Sequence, residues 1–199
     1  MAPDLAKALA LIDEAHSLDP NKANIDGIPT PYELHYARKC SEYLEKHTPN
    51  PSPLLVTAVR AQHFRRWEIP RSSYPATKAG YFAWRTYLKR RQAEQVKELC
   101  LQCGFSENES RRVASLIAKN DLKRGEGNGD AEGQVLEDVA CLVFLDDQFE
   151  AFEKEHDEEK IIVILRKTWA KMGKRGQDLA LGLNLSDRSK ELVGKALES

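Results

Sequence analysis

The sequence predicts an all-helical domain, and three observations favour this fold class. Apolar residues recur at helical spacing along most of the chain, as Leu5, Leu9 and Ile12 do near its start. Several segments begin with Ser-Pro, or with Ser or Thr followed three residues later by Glu, which are typical helix starts. Strand-like alternation of apolar and polar residues is not convincing anywhere. We expect the 199 residues to form one domain with its own core.

The first half of the chain contains three predicted helices. Their predicted bounds are 3–16, about 30–47, and from 53 onward. The second helix has a double start signal, because Thr30 and Glu33 can form a capping box while Pro31 suits the first helical position. Ser52 followed by proline repeats this signal for the third helix. The stretch 69–75 contains two prolines and is predicted to be an ordered, irregular loop.

The second half continues the helical pattern. The predicted bounds are 78–103, about 106–120, 130–155 and 157–172, with a weaker pattern to the C-terminus. Gly104 stands where a helix usually ends, and Ser106 with Glu109 forms a capping box for the next helix. The glycine-rich stretch 123–130 is predicted to be a solvated loop.

The charge is nearly balanced overall but unevenly distributed. The formal net charge is −1, so no global field draws the protein to nucleic acid or anionic lipid. Residues 60–91 contain nine Lys or Arg and one acid, whereas residues 137–159 contain ten acids and one Lys. The basic segment is therefore the candidate for attracting an anion.

The hydrophobic runs, the N-terminus and the cysteines of the sequence are those expected of a cytoplasmic protein. No apolar run reaches the roughly 18 residues that span a bilayer, and the N-terminus lacks a signal-peptide pattern, so we expect a cytoplasmic protein without membrane contact. Cys100 and Cys103 form a C-x-x-C pair, but no second pair completes a zinc tetrad. We interpret them as semi-buried thiols on a helix.

Asp138 lies in the most apolar segment of the chain. On a helix it shares a stripe with Val135, Leu142 and Leu145, where a carboxylate is costly unless a metal, cation or hydrogen-bond donor meets it. One interpretation is structural: Asp138 caps a neighbouring helix or pairs with a buried arginine. The other adds His35 and His63 from two further helices, which would complete an N,N,O site for one divalent metal.

The order of these three residues resembles that of the HD-domain phosphohydrolases. In that helical family a first His lies on one helix, a His-Asp doublet follows an apolar helix, and a distal Asp lies on a later buried helix. His35, the run ending at His63, and Asp138 match this order over about residues 31–150, with C-terminal helices at 157–198. The resemblance implies an HD-like helical bundle, a bound divalent metal and hydrolysis of phosphate esters. Phe64 replaces the Asp of the doublet, and Lys119 stands where many members have a further His.

The chain also resembles a family of fungal and bacterial proteins known as a domain of unknown function. The similar stretches are 61–75, 80–85, 119–121, 136–145 and 164–172. Some members carry the name glutamyl-tRNA synthetase. That name implies HIGH- and KMSKS-like motifs on a nucleotide-binding α/β domain. The sequence AKMGKRG at 170–176 resembles the second motif only weakly, so the sequence does not support this name.

The basic segment predicts an anion-binding wall after His63. Arginine binds phosphate with two parallel hydrogen bonds, and aromatic residues interleaved with it can stack on a base. The candidate ligand-binding residues are Arg65, Arg66, Arg71, Arg85 and Lys119. In the alternative interpretation these arginines pair with structural acids. The run 89–91 is interpreted as a solvated helix face.

Two glutamates are candidates for acid–base catalysis, Glu68 among the arginines and Glu137 beside Asp138. The leading hypothesis is a hydrolase for a phosphorylated or nucleotide-like small molecule, with one divalent metal. The alternatives are a metal-free domain that binds an anionic ligand or a protein partner, and a protein that binds RNA through residues 65–91.

Overall fold

The computed structural model describes residues 3–119 and 130–198, and within them it confirms the predicted all-α class. The helices are α1 (Leu5–Ser17), α2 (Tyr32–His47), α3 (Pro53–Arg60), α4 (Lys78–Gln102), α5 (Glu107–Ala118), α6 (Ala131–Val143), α7 (Phe149–Lys154), α8 (Glu158–Trp169), α9 (Lys174–Leu181) and α10 (Asp187–Leu197). The strands are β1 (Lys22–Ile25) and β2 (Ile28–Pro31). Single 3-10 turns at Arg66–Glu68 and Arg71–Ser73 connect α3 to α4.

Local start and stop signals were good predictors of the helix ends. Ser52 accepts a hydrogen bond from the backbone N–H of Leu55 at the start of α3. Ser106 and Glu109 form the complete capping box at the start of α5. Gly104 follows α4 with φ +82°, the left-handed conformation that favours glycine after a helix. Each signal acts within four residues, so its geometry does not depend on the rest of the fold.

The expectation of no strands was wrong for residues 22–31. β1 and β2 pair in antiparallel fashion, with Ile25 opposite Ile28. Asp26 and Gly27 both have positive φ, as a two-residue hairpin turn of type I′ requires, and Asp-Gly is a preferred sequence for it. Thr30 consequently lies in β2 rather than capping α2.

α2 begins at Tyr32, and its N-cap residue Pro31 provides no side-chain cap. The backbone N–H of Glu33 donates instead to Asp19 Oδ2 at 3.0 Å, so the predicted capping box of Thr30 and Glu33 is also wrong. Glu33 is buried, where its carboxylate accepts a hydrogen bond from the backbone N–H of Trp67 at 2.8 Å and lies 3.3 Å from His16 Nδ1. This glutamate therefore connects α1 and α2 to the turn that follows α3.

The predicted continuous helix at 130–155 is interrupted by a π-helical turn. Residues Phe144–Gln148 wind as a π-helix between α6 and α7. Such a turn inserts an extra residue, which rotates the side chains after it relative to those before it. Most of the predicted loop at 123–130 lies outside the described residues.

α6 occupies the centre of the fold, in contact with α2, α3, α5 and α9. α4 packs along α5, and α8 packs on α10. Buried apolar side chains from Ala8 to Ala196 form one cluster, in which Ile12, Leu136 and Phe149 are completely buried. Among the described helices, none combines the length and apolarity needed to cross a membrane.

Candidate functional site

A cavity of about 530 Å³ lies between α4 and the segment from α6 to α8. The turn after α3 and the end of α5 complete its lining. Its buried lining residues include a group that we call the floor. The floor consists of Gln62, Trp84, Leu88, Gln92, Ile117 and Leu136. A concave surface of this size that combines apolar side chains with converging polar groups is typical of a small-molecule site.

The more exposed lining of the cavity is cationic. Five basic side chains, which we call the cationic wall, stand against one carboxylate among the described lining residues. The cationic wall consists of Arg66, Arg85, Lys89, Lys119 and Lys171, and the carboxylate belongs to Glu137. Like charges confined in a cavity repel one another more strongly than in water, because the effective dielectric constant is lower there. The cavity therefore favours an anion.

Glu137 compensates part of this charge. Its carboxylate pairs with Lys119 and lies 4.0 Å from Lys171 Nζ. Burial pulls the pKa of Glu137 upward, but the charge and hydrogen bond of Lys119 pull it further down, so that the pKa is lowered. The carboxylate is consequently ionised at neutral pH, and it offsets one of the five positive charges.

His63 is fixed in the turn after α3 by a stacking contact and a hydrogen bond. Its backbone adopts φ +64°, and its ring stacks on Tyr36 with 4.1 Å between the centroids. Arg66 Nη1 lies 2.8 Å from His63 Nε2. Because a guanidinium only donates hydrogen bonds, His63 Nε2 must accept, and the ring proton of neutral His63 is on Nδ1.

The surroundings of His63 keep it neutral. Burial is the first cause that lowers its pKa well below 6.5, followed by the positive charge of Arg66 and then Lys119, His16 and Arg85. A neutral imidazole beside three cationic side chains cannot add to the repulsion in the cavity.

We expect His63 to make the protein less stable as the pH falls below about 6.5. The unfolded chain then binds a proton that folded His63 refuses, so the loss can reach about 1.4 kcal/mol per pH unit down to the folded pKa. Urea unfolding of the wild type and His63→Asn between pH 7.5 and 5 measures this, since asparagine tolerates positive φ. The advantage of the wild type over the variant should shrink on acidification. Parallel stability curves for the two proteins would contradict the prediction.

One face of α4 contributes much of the cavity. Trp84, Arg85, Leu88, Lys89 and Gln92 are three, four or one apart in sequence and lie together on the helix surface. The interpretation of Lys89 as part of a solvated face is therefore wrong. Burial, and then the charges of Lys119 and Arg85, lowers the pKa of Lys89.

The three predicted metal ligands each have a different partner. His35 Nε2 lies 2.6 Å from Asp147 Oδ1, and His63 Nε2 is occupied by Arg66. Asp138 Oδ2 accepts a hydrogen bond from His47 Nε2 at 2.8 Å. Across residues 3–119 and 130–198, no group of three or more His, Cys, Asp or Glu is placed to hold a metal ion. The predicted ligand set is not assembled, and the residues present do not fit the metal.

Asp138 instead joins three helices. Its Oδ1 accepts hydrogen bonds from Gln134 Nε2 and from the backbone N–H of Gly173, both at 2.8 Å. Gly173 is the N-cap residue of α9, so the structural interpretation of Asp138 as a cap for a neighbouring helix is confirmed. Gly176 packs so closely that a Cβ built on it would lie 2.6 Å from Asp138 Cγ.

Arg71, the predicted anion-binding residue of the irregular loop, is occupied by that loop. Its guanidinium donates to the carbonyl oxygens of Tyr74 and Pro75 at 2.8 and 2.7 Å. The donors that would bind an anion therefore hold the chain between the second 3-10 turn and α4, and Arg71 is outside the cavity lining described above.

Arg65 and Glu68 are likewise engaged outside the cavity lining. Glu68 pairs with Arg91, and Arg65 Nη1 lies 3.7 Å from Glu68 Oε1. Of the predicted ligand-binding residues, the structure brings Arg66, Arg85 and Lys119 together around the cavity, and of the predicted acid–base residues it brings Glu137.

Comparison with known proteins identifies the family. The family described as Domain of unknown function (DUF4202) matches residues 6–193. The chain belongs to this family. No curated protein and no solved structure matches it.

Cys100 and Cys103 of this DUF4202 chain lie outside the cavity lining. Cys100 and Cys103 are free and buried, and burial raises the pKa of Cys100 to about 12. Such thiols carry almost no thiolate at neutral pH, so they are unreactive.

Lys89, Gln92 and Lys171 are among the cavity residues that were not predicted from the sequence. For Lys89 and Gln92 a signal was present, because they follow Trp84 and Arg85 at helical spacing. Lys171 follows the end of α8, and it reaches the cavity only through the packing of α8 near α6. No local pattern marks it.

Proposed function

We propose that this protein binds a phosphorylated small molecule in the cavity between α4 and α6. The observation that carries the proposal is the lining, with five cationic side chains and a single carboxylate among the described residues. Glu137 offsets one of these charges, and four remain without a carboxylate partner in the described lining. A ligand with two or more negative charges would relieve their mutual repulsion.

The details of the cationic wall suit phosphate. Arg66 lies over the ring of Trp84, with 4.8 Å from the guanidinium carbon to the ring centroid. Stacked and hydrogen-bonded in this way, it loses little further conformational freedom on binding. Lys89, Lys119 and Lys171 supply point charges, and the volume of about 530 Å³ accommodates a ligand much larger than a phosphate ion.

The HD-like arrangement of the helices belongs to this proposal as well. α6, with Asp138, packs against both α2, with His35, and α3, which His63 follows; this agrees with the order of the HD family. Hydrolysis of the ligand stays a prediction. The proposed function is thus the one predicted above as an alternative, a metal-free domain that binds an anionic ligand.

Binding to a panel of phosphates tests the proposal, with Lys89→Gln as the informative variant. The panel is inorganic phosphate, pyrophosphate and the four nucleoside monophosphates, measured by calorimetry and by thermal stabilisation at low and moderate salt. The matched control is Arg90→Gln, which removes one positive charge from an exposed residue of the same helix. We expect Lys89→Gln to weaken binding about 10- to 100-fold, because a charged hydrogen bond contributes roughly 1.5–3 kcal/mol.

The control separates a site from general electrostatic attraction. Arg90→Gln should change the affinity less than about twofold, since an exposed charge outside the cavity is screened. Failure of every panel member to bind would refute the proposal. Equal weakening by both variants, with a steep dependence on salt, would instead favour diffuse attraction of the kind expected for RNA.

A further inference from the structure

The cavity face of α4 changes character with depth. Tyr81 and Arg85 are exposed at the mouth, Lys89 is half-buried, and Gln92 is only 7% exposed on the floor. Seven residues separate Arg85 from Gln92, which is about 10 Å along a helix axis. Among the polar α4 residues of the cavity lining, Gln92 is the most buried, and its side chain is an uncharged amide.

The amide nitrogen of Gln92 is unpaired. Its Nε2 is buried and has no hydrogen-bond partner in the described part of the protein. Leaving a buried donor unpaired costs free energy, which a bound partner would restore. Rotation of the terminal amide exchanges Oε1 and Nε2 with almost no change in shape, so Gln92 can present either a donor or an acceptor to the cavity.

The apolar residues that line the floor together with Gln92 would suit a flat ring. Trp84, Leu88, Ile117 and Leu136 of the floor are apolar and at most 6% exposed. A glutamine amide presents a donor and an acceptor side by side, which matches the edge of a nucleobase, and it does so among apolar side chains that can cover the faces of the base.

We infer that Gln92 selects the ligand by hydrogen-bonding a nucleobase on the floor while the phosphate meets the cationic wall. The ligand class is then the nucleoside monophosphates. This inference rests on the proposed function and adds the uncharged half of the ligand to it. A site built to pair a polar group discriminates strongly against an analogue that lacks the group.

Gln92→Met tests the inference, because methionine has a similar length and no hydrogen-bonding amide. The probes are the four nucleoside monophosphates and ribose 5-phosphate, which has the phosphate and sugar without the base. We expect at least one nucleotide to bind the wild type ten or more times more tightly than ribose 5-phosphate. In Gln92→Met that nucleotide should lose about tenfold in affinity, while ribose 5-phosphate changes less than twofold.

The melting temperature of the unliganded variant is a second readout. Because the substitution removes an unpaired buried amide, Gln92→Met should melt at the same temperature as the wild type or higher. The matched control is Gln95→Met on the same helix. Gln95 also has a buried unpaired amide atom, its Oε1, but it is not among the cavity-lining residues, so this variant should leave both affinities unchanged.

The outcomes distinguish this inference from the proposed function. Equal binding of ribose 5-phosphate and all four nucleotides would overturn the inference and leave the anion site intact. A lower melting temperature for Gln92→Met with equal weakening of both ligand types would show a structural role for Gln92 and would also overturn it. If neither these probes nor pyrophosphate binds, both proposals fail.

Discussion

Replacing Asp138 with alanine is expected to lower the free energy of unfolding by about 3–5 kcal/mol. The carboxylate is 1% exposed and accepts hydrogen bonds from three donors, on His47, Gln134 and the backbone of Gly173. Its removal leaves these donors unpaired in a buried region and opens a void between α6 and α9, and each buried donor without a partner costs about 1–3 kcal/mol. Urea unfolding of the purified variant measures the change.

Asp146→Ala is the matched control for this prediction. Asp146 also pairs with a basic group, since its Oδ2 lies 2.8 Å from Lys39 Nζ, but its side chain is 26% exposed and that of Lys39 is 30% exposed. The expected loss is therefore about 0–1 kcal/mol. A chelator should leave the stability of the wild type unchanged. If the chelator instead reproduces the loss seen in Asp138→Ala, the carboxylate holds a metal and its structural role is refuted.

The helices were predictable where a few neighbouring residues determine them. Ser106 and Glu109 close a hydrogen-bonded cycle within one turn, so their sequence alone indicates the start of α5. The hairpin was missed because each strand has only four residues and neither contains a buried one, so the alternation of Ala23 and Ile25 with polar residues is too short to stand out. The turn sequence Asp26-Gly27 was the available signal.

The buried position of Asp138 was predictable, whereas its partners were not. The apolar stripe of α6 implies that the carboxylate faces the core, but His47 lies 91 residues away in sequence, at the end of α2. Which donor meets a buried acid depends on how α2, α6 and α9 pack, and a single sequence does not contain that packing. His35 lies on the predicted helix, but the prediction that His63 also lies on a helix was wrong, because α3 ends at Arg60 and His63 is in the turn that follows. Asp147 and Arg66 are their partners.

Arg66 and Arg71 were both predicted to bind an anion, but local geometry leaves only the guanidinium of Arg66 available for it. Both follow His63 within eight residues, and the sequence favoured Arg71 as the anion-binding residue because the proline-containing loop would hold it rigidly. Arg71 has three backbone carbonyl oxygens of its own loop within reach, which occupy its donors. Arg66 donates one hydrogen bond to His63, and its guanidinium lies over the ring of Trp84. The other donors of the guanidinium therefore remain available to the cavity.

Arg66→Met is therefore expected to have the largest effect on ligand binding, about a 100-fold loss of affinity for the tightest binder among the phosphates of the panel. Hydrogen bonds to a charged group contribute roughly 1.5–3 kcal/mol, and the stacked guanidinium offers them in a fixed geometry. Calorimetry measures the loss. Arg66→Lys keeps the charge but lacks the planar fork and the stacking on Trp84, so its affinity should fall between those of the wild type and Arg66→Met.

A second readout separates direct binding by Arg66 from an effect through His63. The charge of Arg66 is the second cause of the lowered pKa of His63, so this pKa should rise in Arg66→Met. It can be followed by NMR of the imidazole protons. If the pKa rises while the affinity stays at the wild-type value, Arg66 only positions His63 and does not touch the ligand. If the affinity falls in Arg66→Met and recovers partly in Arg66→Lys, the positive charge itself meets the phosphate, because lysine restores that charge without the fork.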